Sequence, residues 1–541
     1  MIDHDSSLLP DDQPLPSLAE WRALAEAGLG GATFERKLVS HLEGGLRIQP
    51  LYTRQDLPPG TDAAGFPGFA PLVRGQAPLP PVQEAGESRS EDPVGALARN
   101  GHLLLPIDEA IAAAARRAAA DTADAPLLLV STEGWHDAGA TAQQELALAM
   151  ATGVAYLRAL EAAGLSLEHA ARRLTFRLQV GVDVFLEIAK LRAARRTWCR
   201  ILEACGVAAP SMDLQARTAW RTLTARDPWT NLLRNTIGAF AARAGGAARL
   251  EVRPFDEAVG EPDELGSRMA RNTRLVLDEE SHLGRVVDPA GGSFYLERLT
   301  EDLAAAAWAE LQEVEGAGGI VAALRSGMVQ DRIEEAAARR AEDVATRKLP
   351  ITGVSEFPNL RELPLERRPV AAQKPAEPAP GGESIRPLRF ERLAAGFERL
   401  RDRSDAHAAA TGSRPRVFLA SFGPPSQHLA RSTFVDNLFA AGGVEAVTTE
   451  GCKDSVEAAA AFATSGTKLA VICAADAAWT DVVAPAAKAL REAGATRILL
   501  AGRPGDKEAE LRAQGIDGFV SLGMNALDLL ESTLSLLQVA P

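Results

Sequence analysis

Side chains capable of acid–base, nucleophilic or metal chemistry occur in this 541-residue chain, but not at spacings that concentrate them. His41, His102, His136, His282 and His428 show no HExxH or other ligand spacing. Glu279-Glu280 with His282 has the composition of an acid–base group. Adjacent helical residues, however, point about 100° apart and cannot converge on one atom. Cys199, Cys205, Cys452 and Cys473 lack CxxC spacing and read as reduced thiols, not disulfides or metal ligands. Gly28-Leu29-Gly30-Gly31 has no strand before it, so a helix end or turn is expected there instead of a phosphate loop. Gly502-Arg503-Pro504-Gly505 lacks the Lys-Ser/Thr that would hold phosphate and magnesium.

Any site must therefore be assembled by the fold. The length implies two or more domains, and an apolar fraction of 46% is enough to give each a core. A net charge of −14 without long Lys/Arg runs argues against nucleic acid and anionic membranes as partners. The start carries no secretory pattern, and no apolar run approaches the roughly 18 residues that span a bilayer, so a cytoplasmic protein is expected. Residues 1–51 read as an arm, with a short helical pattern at 18–24 that cannot bury an apolar face alone and should lie on its own domain or on a partner. From about residue 96, short apolar runs at 127–131, 174–181, 249–252 and 285–287 alternate with helical stretches such as 142–163 and 184–204. That alternation implies parallel strands with crossover helices, and a (β/α)8 barrel over residues 52–350 suits it best. Residues 351–412 form a Pro-rich linker, with prolines recurring between Pro358 and Pro387. Residues 413–541 read as a flavodoxin-like, doubly wound domain, with strands at 416–420, 469–473, 497–501 and 518–521.

One stretch goes further than these patterns. Arg271-Asn272-Thr273-Arg274-Leu275-Val276-Leu277-Asp278-Glu279-Glu280-Ser281-His282, continuing through Asp288-Pro289-Ala290-Gly291-Gly292-Ser293-Phe294-Tyr295, closely resembles a signature of the methylmalonyl-CoA mutase family. Arg74-Gly75, Ala138-Gly139-Ala140-Thr141, Glu187-Ile188-Ala189-Lys190-Leu191-Arg192 and Thr352-Gly353-Val354 resemble further family pieces, in family order. The resemblance implies a barrel joined to a cobalamin-binding domain. It also implies a reaction in which adenosylcobalamin supplies the radical while the protein orients it and excludes water.

Three features that the resemblance implies for a catalytic chain are missing. Arg74-Gly75 runs into Gln76-Ala77-Pro78-Leu79-Pro80-Pro81, with no tyrosine to cover a substrate. Counted back from Asp256-Glu257-Ala258, Glu251 stands where the family's catalytic histidine is expected, and an ionised carboxylate has no proton to donate. In the loop that should carry the cobalt-ligating Asp-x-His-x-x-Gly, Pro425 aligns with the aspartate, Gln427 with the histidine and Ala430 with the glycine. His428 is one residue out of register, and Arg503 is expected to project toward the cofactor's nucleotide tail. The resemblance thus implies no catalytic, cofactor-binding or metal residue in this chain, and adenosylcobalamin on a partner. That partner would be the catalytic large subunit of a heterodimeric mutase interconverting (R)-methylmalonyl-CoA and succinyl-CoA. The competing readings are a sister acyl-CoA mutase acting on another branched substrate, which would need both missing histidines, and a binding or scaffold module.

Overall fold

The protein is described by a computed structural model covering residues 16–57, 64–75, 90–122, 125–208, 210–370 and 381–540. The arm contributes α1 (Leu18–Ala27), started by a reciprocal Ser17–Glu20 cap and ended at Gly28, so the glycine run is a helix end. No residue of α1 is buried, and Leu24 is 73% exposed. It packs on Phe34, which Trp21 meets edge-on at 6.1 Å and Arg22 covers at 4.6 Å. Further along, Glu43 anchors the arm by pairing with Arg340 at 2.5 Å.

The first unit then runs α2 (Pro93–Asn100), α3 (Ile107–Ala120), β1 (Leu128–Ser131), α4 (Glu133–Ala138), α5 (Ala142–Ala162), β2 (Leu174–Val180), α6 (Val184–Ala204), β3 (Asp213–Thr218), α7 (Thr230–Ala244), β4 (Arg249–Glu251), α8 (Glu264–Leu275), α9 (Phe294–Gly316) and α10 (Met328–Ala345). The four strands are parallel in the order β1-β2-β3-β4, with Leu128 beside Leu174, Thr175 beside Asp213 and Gln215 beside Arg249. Side chains alternate across this sheet. Val130, Phe176, Leu178, Leu214, Ala216 and Leu250 enter the main core, while Arg177, Gln215, Arg217 and Glu251 occupy the opposite face.

The expected eight-stranded closure is not formed by the described residues. The sheet stays open, with β1 and β4 at its edges, and β1 is covered outside by one bridging residue, Glu91. Residues 285–287, expected as a strand, instead follow a 3-10 turn at Leu283–Arg285, between His282 (φ 55°) and Asp288 (φ 51°).

What holds that irregular segment is a buried charge cluster. Asp288 accepts from Arg74 Nη1 at 2.9 Å, and Arg192 Nε lies 3.0 Å from its other oxygen. Arg192 also reaches Glu297 at 2.9 Å and the Thr300 hydroxyl at 3.0 Å, and Glu297 accepts from the Gly292 amide. Arg195, beside it, donates to the Val73 carbonyl at 2.7 Å. A Cβ at Gly291 would lie 1.9 Å from Arg74 Nη1, so the second-last glycine of the turn is what lets that guanidinium in.

The second unit contains α11 (Ala395–Thr411), β5 (Arg416–Ser421), α12 (Pro425–Ala441), β6 (Glu445–Thr448), α13 (Ser455–Thr464), β7 (Leu469–Cys473), α14 (Trp479–Glu492), β8 (Arg497–Ala501), β9 (Gly518–Val520) and α15 (Ala526–Leu536). Its five parallel strands lie in the order β9-β8-β7-β5-β6, with hydrophobic clusters on both faces. The order reverses between β5 and β7, which makes the carboxyl ends of those strands the place where a ligand crevice forms. The stretch read as linker is only partly extended, because α11 lies inside it and buries Phe397 and Leu400 in the second core. Its described extended parts are strapped to the first unit: Arg367 pairs with Asp256 at 2.5 Å, and the backbone around Glu383–Ile385 bonds that of Gly101 and Leu103.

Replacing Asp288 by Ala leaves Arg74 and Arg192 sharing Glu297 in a water-poor site. Breaking a buried pair in this way costs about 3–5 kcal/mol. Asp288→Ala should therefore lower the denaturant midpoint followed by tryptophan fluorescence; an unchanged midpoint would show that the cluster does not hold the fold.

Candidate functional site

The polar face of the first sheet is a ladder of ion pairs at the strand ends. Glu251, on edge strand β4, lies 2.9 Å from Arg217 Nε, whose Nη1 reaches Glu133 at 2.7 Å. Arg253 joins Glu133 at 2.5 Å and Glu257 at 2.6 Å. Burial alone would raise the Glu133 carboxyl, but Arg217, Arg253 and Arg99 override it and hold it below the usual range. Glu251 is thus ion-paired with a guanidinium, and an ionised carboxylate has no proton to donate to a bound carbonyl. Residues 76–81, which lack the expected tyrosine, lie outside the described residues.

Beneath the ladder is a cluster that spacing alone did not assemble. His136 Nδ1 lies 3.2 Å from Glu145, which also accepts from Lys190 at 2.8 Å; Lys190 reaches Glu187 at 2.7 Å. All four side chains are buried. Burial, reinforced by Arg221, pushes the imidazole down to about 3, so a neutral ring donates from Nδ1 to Glu145. For Glu145, burial would raise the carboxyl, but Lys190 and the hydrogen bond from His136 hold it well below the usual range. Burial dominates at Glu187 and raises it. The four residues come from α4, α5 and α6; β2 separates α5 from α6 in sequence, so the folded sheet is what brings Lys190 and Glu187 to Glu145.

In the second unit, the loop after β5 is short because the helix begins at once. Pro424 is the N-cap of α12 and Pro425 its first residue, where a missing N–H costs nothing and φ is already helical. Pro425, Gln427 and Ala430 are all exposed. A Cβ on Gly423 would meet Gln427 Oε1 at 2.6 Å, which places that amide over the loop. His428 points the other way: it is 5% exposed, against Gly451, with neither ring nitrogen hydrogen-bonded.

One helical turn later Arg431 spans the strand ends. It donates to the carbonyls of Ala474 and Ala501, pairs with Asp476 at 2.7 Å, and lies 5.4 Å above the Trp479 ring. Trp479 is itself buried and donates from Nε1 to Ala474 at 3.2 Å. Gly502, at φ 141°, leaves no room for a Cβ, which would lie 2.5 Å from the indole. Arg503, expected to project into this crevice, instead donates to the Leu522 carbonyl at 3.0 Å. The guanidinium in the crevice is that of Arg431, which the strand and loop patterns gave no reason to single out.

Asp137, at the end of α4, has one carboxyl oxygen buried with no partner. Burial pushes its carboxyl up to about 7; Arg253 opposes the shift and Glu133 adds to it. The folded chain therefore keeps a proton that the unfolded chain releases near pH 4. Stability from this group is fully present below about pH 4 and is lost as pH rises to about 7, a total of at most about 4 kcal/mol. Asp137→Asn should gain stability relative to the parent between pH 4.5 and 8, by denaturant unfolding at both pH values; parallel pH profiles would refute the assignment.

The family model described as methylmalonyl-CoA mutase matches residues 85–379. The methylmalonyl-CoA mutase small subunit of Streptomyces virginiae is 39% identical over 636 aligned positions, covering 99% of this chain and 100% of that protein. The probable small subunit of Mycobacterium tuberculosis (strain ATCC 25618 / H37Rv) is 43% identical over 437 positions, 80% of this chain and 67% of that one. The large subunit of Propionibacterium freudenreichii subsp. shermanii is 42% identical over 242 positions, 44% of this chain and 33% of its own length. With parallel sheets in both units and the signature at 271–295 in place, this chain belongs to the methylmalonyl-CoA mutase family.

Proposed function

We propose that this chain is the small, non-catalytic subunit of an adenosylcobalamin-dependent methylmalonyl-CoA mutase. It supports a catalytic large subunit that interconverts (R)-methylmalonyl-CoA and succinyl-CoA, in the cytoplasm. The observation that carries this reading is the crevice of the second unit, where Arg431 and Trp479 occupy the strand ends. Cobalamin does not fit the residues present. Gln427 offers an amide on an exposed helical face, and the neighbouring imidazole, His428, is turned inward. Pro425 supplies no carboxylate to orient a ligating ring. Glu251, salt-bridged to Arg217, supports the same reading for the first unit.

The open four-stranded sheet is, on this reading, what remains of a (β/α)8 barrel, and residues 413–541 are a cobalamin-type flavodoxin-like domain that has lost its ligand loop. The alignment with the Streptomyces virginiae protein supports the first inference. It runs over 636 positions against a chain of 541, so the relative has segments with no counterpart here.

The chain's contribution is then an interface. Among the apolar surfaces left exposed on the described residues are α1, with Leu18 and Leu24, and one face of α7, where Leu233, Ile237 and Phe240 follow Trp229 at helical spacing. An obligate partner covers surfaces of this kind, over 2,000 Å² or more in all. Leu233→Asp, on an exposed position, should weaken co-purification with the large subunit while leaving the isolated chain folded. Undiminished association would remove α7 from the interface.

Freed of large subunit, the chain should give no turnover of methylmalonyl-CoA with adenosylcobalamin present; turnover by a preparation proven free of that subunit sinks the reading. Gln427→His should leave the visible spectrum of added cobalamin as it is in buffer, since neither an orienting carboxylate nor an open crevice comes with the imidazole. A stoichiometric, histidine-ligated spectrum from that variant would show the domain to be one substitution from binding.

A further inference from the structure

A cleft at the junction of the two units is lined in part by Asp137 and by Arg221, whose guanidinium bonds the His136 carbonyl. It is a cavity of about 380 Å³ between the end of α4, one face of α10, residues 388–393, and the starts of α11 and α15. That volume falls within the range of small-molecule sites. Its floor is apolar, with Ile333 and Val344 from α10, Leu388 from the joining segment and Leu527 from α15.

The charges around it do not cancel. Of the five arginines in the lining, Arg340 is paired with Glu43, Arg392 with Glu398 at 2.7 Å and Arg399 with Glu391 at 2.5 Å. Among the described residues, Arg221 and Arg389 have no carboxylate within ion-pair distance. Arg221 spends one nitrogen on the carbonyls of His136 and Ala140, at 2.8 and 3.1 Å, and its Nε is buried without a partner. Asp137 lines the same space with its own unpartnered buried oxygen. Each is a polar group whose desolvation is uncompensated, and such groups are rare unless something else satisfies them.

We propose that this inter-unit cavity is a binding site for a small amphiphilic anion, with a carboxylate or phosphate head held by Arg221 and Arg389 and an apolar body on the Ile333–Leu527 floor. Arg221 Nε donates to one head oxygen. Burial and the nearby Glu133 keep the Asp137 carboxyl protonated to a large extent near neutral pH, so it donates to a second oxygen instead of repelling the head. Because the lining comes from both units and from the segment joining them, occupancy ties the second unit to the first.

The test uses the full-length chain, with hexanoate and hexyl phosphate as the two anionic probes and hexanol as the uncharged one, by isothermal titration calorimetry. The expected result is saturable one-to-one binding of at least one anion and none of hexanol; which anion binds decides between a carboxylate and a phosphate head. Arg389→Gln, at an exposed position, should weaken binding by about 10-fold or more, the loss of one charge-assisted hydrogen bond. Ala338→Trp, at the exposed rim of the cavity, should abolish it while leaving the fold intact. No saturable heat from either anion, equal binding of hexanol, or binding unchanged in both variants would overturn the proposal.

Discussion

A carboxylate taken out of water must be neutralised by whatever the chain brings to it, and Asp288 takes that role for the whole first unit. Its side chain is 1% exposed and lies against two guanidiniums, one from the segment after the arm and one from the middle of α6. The attraction offsets a desolvation cost that neither partner could bear alone. It also fixes geometry: the positive φ at Asp288 and the glycines after it are tolerated because both of its oxygens and Glu297 are held from outside. The motifs at 74–75, 187–192 and 288–293, far apart in sequence, are one object in space. In this chain they belong to the scaffold.

Against that scaffold, the positions that the family resemblance singles out sit on ordinary local structure. The proline pair starts α12 directly after β5, so Pro425, Gln427 and Ala430 lie on solvent-facing helix surface. A glutamate on β4 joins an existing arginine ladder. Neither position belongs to a core, so the parallel sheets, crossover helices and strand order do not depend on which residue stands there. The buried cluster of His136, Glu145, Lys190 and Glu187 shows the same economy: its charges satisfy one another within the scaffold.

Strands whose side chains are apolar on both faces were legible: β5, β7 and β8 fall within a residue or so of their expected bounds, and so does β2, although Thr175, Arg177 and Gln179 alternate along its polar face. β3 was not, because Asp213, Gln215 and Arg217 alternate along the polar face and disguise a central strand as surface. β6 was hidden for another reason, being an edge strand with no buried residue. The barrel was an inference from alternation, and alternation carries no count of strands; the open edge at β4 is visible only in the pairing. At the candidate sites, the family resemblance singled out Glu251, Pro425, Gln427 and Ala430, while Arg431 escaped notice because its contacts depend on the distance from a helix to two strand ends. The direction of Arg503 was hidden for the same reason, being set by its hydrogen bond to the Leu522 carbonyl.

The strap at 381–393 carries a consequence for how the molecule comes into being. The corner after α2 is closed by Glu383 and Ile385, and Glu383 Oε2 accepts from the Ile107 amide across 276 residues of sequence. On a ribosome adding roughly 5–20 residues each second, that corner waits on the order of 14 to 55 s for its cover. Throughout that interval the nascent first unit exposes a seam of unpaired backbone, and its folding is completed by the segment that leads into the second unit.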